Sequence, residues 1–291
     1  MRNVLIVATL VAVVGFVRTS AARAGEIVFE EGIEYANPDN QHLQLNLARP
    51  KDGAGPFPAI VCIHGGGFRA GDRKGWDARV KKLAEHGYVA VTVTYRLAPQ
   101  NKFPAAVNDV KAAVRWLRAN AAKYHVDPAR IGAVGDSAGG HLAMYLGVTG
   151  DVKRLEGDGG GNADQSSRVQ CVVDFYGPSD LTKSYGKSVD AAEVLPLFFG
   201  GNLETHLKQH VVGSPLYWVT PLSAPTLLLH GTDDKYVAHE QAVWMFDRLQ
   251  AAQVDTKLVT LQGAGHGFKD KDAETAEREM FAWFDSHLLK R

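Results

Sequence analysis

Short runs rich in β-branched residues alternate along this chain with helical patterns, and that alternation restricts the fold more than any other feature of the sequence. A helix between two strands uses up the length of a crossover, so the strands lie parallel in one sheet and helices cover both faces. The candidate strands are residues 27–35, 43–48, 59–64, 89–95, 131–135, 169–176, 226–230 and 256–261. Only a short turn around Asn37-Pro38-Asp39 joins the first two, which leaves no room for a crossover and predicts an antiparallel pair. The expected class is therefore α/β, with a mostly parallel eight-stranded sheet, helices on both faces and a small cover segment.

The helical patterns have the spacing of amphipathic helices. Over residues 105–124, Val107, Val110, Val114, Leu117 and Ala121 recur at steps of three and four, with Asn108, Lys111, Arg115 and Arg118 assigned to the wet face. Over 273–289, Ala276, Met280, Phe284 and Leu288 recur at steps of four. Two stretches escape the alternation. Residues 156–167 read as a solvated loop whose Asp158, Asn162 and Asp164 match no recognised calcium-loop spacing. Residues 178–221 form a long connection containing an apolar segment, 194–199, suited to covering a pocket mouth.

Composition narrows the partners. The chain has 291 residues, 45% of them hydrophobic and 22% charged, which excludes disorder and suits one large α/β domain. The first 24 residues hold three arginines and no acid, leaving 29 basic against 32 acidic residues in the remainder. Such a surface has no footprint for phosphate backbones, so nucleic acid is set aside as a partner. Residues 1–24 read as a secretory signal: Arg2, an apolar run of 14 residues from Val4 to Val17, then the small-x-small pattern Ala22-Arg23-Ala24. The run is shorter than the roughly 20 residues that span a bilayer, so the expectation is a mature domain over 25–291, secreted or periplasmic, with no membrane contact after cleavage. Cys62 and Cys171 each fall inside a candidate buried strand, without the spacing of a metal site, and read as inert.

The residues that carry chemistry sit at strand ends. The strand 131–135 runs into Gly135-Asp136-Ser137-Ala138-Gly139 and then a helical run, the strand–turn–helix context of a nucleophile elbow. Upstream, the strand 59–64 ends in His64-Gly65-Gly66-Gly67-Phe68, a stretch able to aim backbone N–H groups into a cavity. Acyl transfer needs such donors, because a tetrahedral intermediate carries negative charge on oxygen and each donor contributes roughly 3–4 kcal/mol. The candidate donors are the N–H groups of Gly66, Gly67 and Ala138. Serine also needs a base, and the base needs a group to fix its tautomer. His266, isolated in Gly265-His266-Gly267, supplies the first, and Asp233 or Asp234, after the strand 226–230, supplies the second; spacing alone does not separate them. His86, His125, His206 and His210 read as surface or turn residues, and His64 and His230 as braces for their glycine turns.

Together His64-Gly65-Gly66-Gly67, Tyr95-Arg96-Leu97-Ala98-Pro99, Phe103-Pro104-Ala105-Ala106, Gly135–Gly139, His230-Gly231-Thr232-Asp233-Asp234 and Gly265-His266-Gly267 resemble the α/β-hydrolase carboxylesterases of the hormone-sensitive-lipase type, near the bacterial feruloyl and acetyl esterase-like branch. The resemblance implies the α/β-hydrolase fold and a Ser137–His266–Asp234 triad, choosing Asp234 by its place after His230. It implies the same three oxyanion donors, no cofactor or metal, and small-molecule esters as substrates, acylated oligosaccharides among them. Tyr95 to Pro99 and Asp109 carry no catalytic role in relatives. A short N-terminal segment leaves any cover to residues 178–221, which argues against long-chain lipids. Two other readings use the same residues: a serine peptidase of the prolyl-peptidase type, and a non-catalytic binding protein on the same scaffold. A protonated His266 cannot accept the serine proton, so activity is expected to fall in acid.

Overall fold

The computed structural model describes residues 25–53, 55–150, 152–157 and 161–289. The expected signal, residues 1–24, and Asp158 of the calcium reading lie outside the described residues. The strands are β1 (Ile27–Ala36), β2 (Leu43–Pro50), β3 (Phe57–Ile63), β4 (Val89–Val93), β5 (Val126–Asp136), β6 (Cys171–Phe175), β7 (Thr226–Gly231) and β8 (Thr256–Leu261). The helices are α1 (Asp77–Glu85), α2 (Ala105–Ala119), α3 (Ala121–Tyr124), α4 (Ala138–Thr149), α5 (Ala191–Phe199), α6 (Leu207–Gly213), α7 (Glu240–Ala251) and α8 (Asp270–Phe284).

All eight strands join in one sheet, in the order β1-β2-β4-β3-β5-β6-β7-β8. β2 is antiparallel to both β1 and β4, and every pair from β4 through β8 is parallel. The expected antiparallel start and parallel remainder are both present. From β3 the chain passes through α1 to β4 on one side, then through α2 to β5 on the other. Crossovers of one hand that run in opposite directions put their helices on opposite faces. The sheet's alternation shows it: Ala59, Val61 and Ile63 of β3 pack with Val110 of α2, Leu142 of α4 and Met245 of α7, whereas Ile60 and Cys62 pack with Val80 of α1 and Met280 and Phe284 of α8. Reversal of strand order between β3 and β5 opens a crevice beyond their carboxyl ends, where α/β sheets hold their ligands. Helix α4, which starts in that crevice, is buried along all of its length, as an all-round apolar helix must be.

Four sequence expectations are corrected. The helix expected over 105–124 breaks at Asn120, whose side-chain amide donates to the Trp116 carbonyl at 2.9 Å and competes with helix continuation. Lys111 and Arg115, assigned to the wet face, are buried, at 0% and 3% relative exposure. The stretch after α4 folds over them: Lys111 Nζ donates to the Thr149 carbonyl and to Glu156 Oε1, both at 2.7 Å, and Arg115 donates to Glu156 Oε2 at 3.1 Å. Ser167, at the far end of the loop read as solvated, is buried and donates to Glu156 Oε1 at 2.8 Å. His210, read as a surface residue, is buried on α6 against the Phe199 ring, with one ring nitrogen 3.0 Å from the Tyr185 hydroxyl. Cys62 and Cys171 are buried free thiols, as expected.

Replacing Glu156 by Gln keeps the shape of this clip but removes the carboxylate that both Lys111 and Arg115 meet. The expected cost is about 3 kcal/mol, measured as a lower urea midpoint at unchanged m-value.

Candidate active site

The crevice is closed by a strained turn. Ser137, between β5 and α4, has φ 52° and ψ −119°, a conformation costing an L-residue roughly 1–3 kcal/mol. Its N–H donates to the Phe175 carbonyl at 2.8 Å, and its carbonyl accepts from the His141 N–H at 3.0 Å, so both sides of the turn are tied. The flanking glycines permit the approach: a Cβ on Gly135 would stand 2.2 Å from the Gly139 carbonyl oxygen, and one on Gly139 would stand 2.1 Å from the Ile63 carbonyl oxygen. Glycine is therefore required at both positions for space, not for backbone freedom.

Ser137 and His266, 129 positions apart in sequence, meet with Ser137 Oγ 2.9 Å from His266 Nε2. The other ring nitrogen, Nδ1, lies 2.7 Å from Asp234 Oδ2. An ionised carboxylate only accepts, so Nδ1 carries the proton and Nε2 is left to accept from the serine hydroxyl. Asp234 is buried whereas Asp233 is exposed, so only the former reaches the ring. Asp234 Oδ1 accepts N–H donors from Tyr236 and Val237, each at 2.9 Å, and His230 Nε2 stands 3.3 Å from Oδ2. Burial opposes ionisation of this carboxyl, but hydrogen bonds from His230, His266 and the Val237 amide outweigh it and hold its pKa well below the usual carboxylate range. Asp234 thus stays charged at neutral pH.

Gly66 and Gly67 adopt positive φ, 116° and 58°, in the loop that follows β3. Their N–H groups and that of Ala138 have no acceptor among the described residues. The preceding residues fix this loop. Gly65 N–H and the Trp76 indole N–H both donate to Asp136 Oδ1, at 2.9 and 3.0 Å. His64 Nδ1–H donates to the Gly65 carbonyl at 2.8 Å, and its ring stacks on Tyr95, centroids 4.4 Å apart. The bracing role expected of His64 is what the structure shows. His230 differs: it braces the turn after Asp234, through the Val237 carbonyl at 2.8 Å, rather than its own glycine.

Ser137, His266, Gly66, Gly67 and Ala138 line one cavity of about 450 Å3, within the range of small-molecule sites. The apolar segment expected to cover the mouth is α5, which contributes Val194 and Leu195 to the wall. It is pinned by Phe198 stacking on Phe68 at 4.0 Å and by an ion pair between Glu193 and Arg69. Beneath it, His141 of α4 donates Nε2–H to the Gly213 carbonyl at 2.7 Å; burial pushes its pKa down to about 4, so the ring is neutral.

Several residues of the site were not singled out from sequence. Asp136 occupies an unspecified place in the elbow pentapeptide, and only the fold brings Trp76 and Gly65 to it. Tyr176 and Tyr236 flank His266, with ring centroids 4.8 and 5.3 Å away. Tyr176 had a usable signal, since it follows β6 at the same sheet edge as the other site residues. Behind it, Asp174 is fully buried; Oδ1 accepts the Gly177 N–H at 2.9 Å while Oδ2 has no hydrogen-bond partner among the described residues. Burial raises its pKa well above the carboxylate range, opposed only in part by the Gly177 bond, so it keeps its proton.

Two outcomes follow for stability. Ser137→Gly removes the strained side chain and is expected to unfold at higher denaturant, by about 1 kcal/mol, while losing the hydroxyl. Asp174 ionises in the unfolded chain but not in the folded one, so its stabilising contribution at low pH is lost as pH rises past the ordinary carboxylate value. Asp174→Asn is expected to be more stable than the parent at neutral pH, with the gap widening as pH rises above the ordinary carboxylate value in urea titrations.

The chain matches the BD-FAE family model over residues 45–249. Esterase LipC of Mycobacterium tuberculosis is 33% identical over 238 residues, 79% of this chain and 58% of LipC, so this chain spans little more than half the length of that relative. Ethyl acetate hydrolase of Pseudomonas putida is 36% identical over 265 residues, 85% of this chain and 78% of that protein. Among solved structures, a truncated carbohydrate esterase from gut microbiota superposes with a TM-score of 0.81 at 27% identity, covering 90% of this chain and 97% of that one. With this sheet and these matches, the chain belongs to the BD-FAE family, within the α/β-hydrolase fold.

Proposed function

We propose that this protein is a serine carboxylesterase that hydrolyses short-acyl or aromatic esters through an acyl-enzyme. Ser137 Oγ attacks the ester carbonyl while His266 Nε2 takes the hydroxyl proton. Asp234 holds the imidazole in the accepting tautomer and stabilises the imidazolium that forms. The Gly66, Gly67 and Ala138 N–H groups receive the oxyanion, helped by the positive end of α4. His266 returns the proton to the departing alcohol. Water then attacks the acyl carbon as it gives a proton to His266, and the acid is released as His266 returns that proton to Ser137 Oγ. The observation that carries this reading is the continuous contact from Asp234 through His266 to Ser137, 2.7 and 2.9 Å, at the wall of a cavity with three unclaimed N–H donors.

The cavity size, the pinned cover α5 and the esterase names of the relatives support small esters rather than long-chain lipids. Acetyl or feruloyl groups on plant-polysaccharide fragments extend this class, supported by the carbohydrate esterase among the structural neighbours. We also propose that residues 1–24 direct export to the periplasm or exterior and are removed after Ala24. The expected N-terminus of protein recovered from a secreting host is Gly25 by intact mass; a chain that retains Met1 would contradict export by cleavage.

Labelling by a fluorophosphonate is expected in the parent protein and absent in Ser137→Ala, and Asp234→Asn should lower kcat on the order of 10^4-fold. Nitrophenyl acetate and butyrate should be cleaved faster than nitrophenyl laurate and than a dipeptidyl anilide. Greater efficiency on the anilide would make the protein a peptidase, and a folded but unlabelled protein would make it a binder.

A further inference from the structure

A second cavity, of about 290 Å3, adjoins the first, and Asp136 and Tyr176 line both. Its remaining wall comes from Gly75 and Trp76, from Ala78, Arg79 and Lys82 of α1, and from Glu277 of α8. Two of its charged groups pair with each other, Lys82 Nζ standing 2.8 Å from Glu277 Oε1, and a third, Asp136, accepts the Gly65 and Trp76 N–H groups. Arg79 is different. Its guanidinium lies 4.4 Å from the Trp76 ring centroid and 5.2 Å from that of Phe175, yet no described residue gives it an ion-pair or hydrogen-bond partner. Stacking on an aromatic ring holds the guanidinium flat and limits its rotamers while leaving the in-plane N–H donors unused. The group that complements such a fork is a carboxylate, which it binds through two parallel hydrogen bonds.

We propose that this second cavity is a leaving-group subsite, and that Arg79 selects esters whose alcohol portion carries a carboxylate. The proposal rests on the esterase reading above: with the acyl portion under α5, the alcohol portion extends past Tyr176 into the second cavity. Hydrolysis breaks the bond between the acyl carbon and the alcohol oxygen. The alcohol leaves with the proton from His266 and with its carboxylate intact, and water supplies the hydroxyl of the released acid.

The test compares 4-acetoxybenzoate with its uncharged amide, 4-acetoxybenzamide. The parent protein is expected to favour the acid by at least about tenfold in kcat/KM. Arg79→Gln should bring that ratio to about one, and Arg79→Lys should restore part of it, because an ammonium keeps the charge without the planar fork. A parent ratio near one, or a ratio unchanged in Arg79→Gln, overturns the proposal. Calorimetric binding of 4-hydroxybenzoate and 4-hydroxybenzamide to Ser137→Ala, with and without Arg79→Gln, makes the same comparison without turnover. Ester cleavage with no preference for the acid in either assay removes the subsite and leaves the esterase. Arg79-dependent binding of the acid with no ester cleavage by the parent protein removes the esterase reading and leaves a carboxylate site. Acetylated uronic acid and acetylated lactate, each against its amide, then separate an acidic sugar from a small hydroxy acid: the pair with the larger Arg79-dependent ratio identifies the alcohol.

Discussion

At the crevice between β3 and β5 the backbone approaches itself so closely that no side chain fits: the Ile63 carbonyl oxygen stands 2.1 Å from where Gly139 would carry a Cβ. This contact sets the distance between the serine turn and the loop after β3. Beside it Asp136 accepts the Gly65 N–H, in the loop that carries Gly66 and Gly67, and Ser137 adopts its positive φ. The cost of that strain is met by the sheet around it, because the Ser137 N–H is hydrogen-bonded to the carbonyl of Phe175 at the end of the neighbouring strand. The Ser137 hydroxyl and a set of N–H donors are thereby held in fixed positions, which is the preorganisation that the proposed ester hydrolysis needs.

Two carboxyls near neighbouring strand ends show how local donors decide charge. Asp234, after β7, and Asp174, in β6, are both buried. Asp234 is surrounded by two backbone N–H groups and two imidazoles and is ionised; Asp174 receives one N–H bond, leaves its second oxygen without a hydrogen-bond partner among the described residues and stays neutral. The difference lies in hydrogen-bond supply together with depth, Asp174 being the more deeply buried of the two, and it keeps a charged carboxylate beside a neutral carboxyl at one end of the sheet.

Much of this was legible in the sequence because it is encoded locally. Gly135, Ser137 and Gly139 lie within five residues, and His266 sits between glycines after a readable strand. The antiparallel start followed from the shortness of the turn at Asn37-Pro38-Asp39. What stayed hidden depends on contacts distant in sequence. Lys111 and Arg115 occupy the polar stripe of α2, and nothing in a helical period reveals that Glu156, 45 positions beyond Lys111, folds back to meet them. Asp136 gave no sign that Trp76 would donate to it, and Asp233 and Asp234 are separated only by which of them the turn after β7 buries. The resemblance chose the second, and the geometry agrees. Asn120 ended a helix whose apolar period continued through Ala121, since a side-chain amide can cap a helix without disturbing its pattern.

The most direct test of the central claim is to look for the covalent intermediate itself. Protein quenched in acid during turnover of nitrophenyl butyrate should show, by peptide mass mapping, one butyryl group on the peptide that contains Ser137. A butyryl group on any other residue, or steady turnover by the parent protein with no acylated Ser137 peptide at any quench time, would contradict the account.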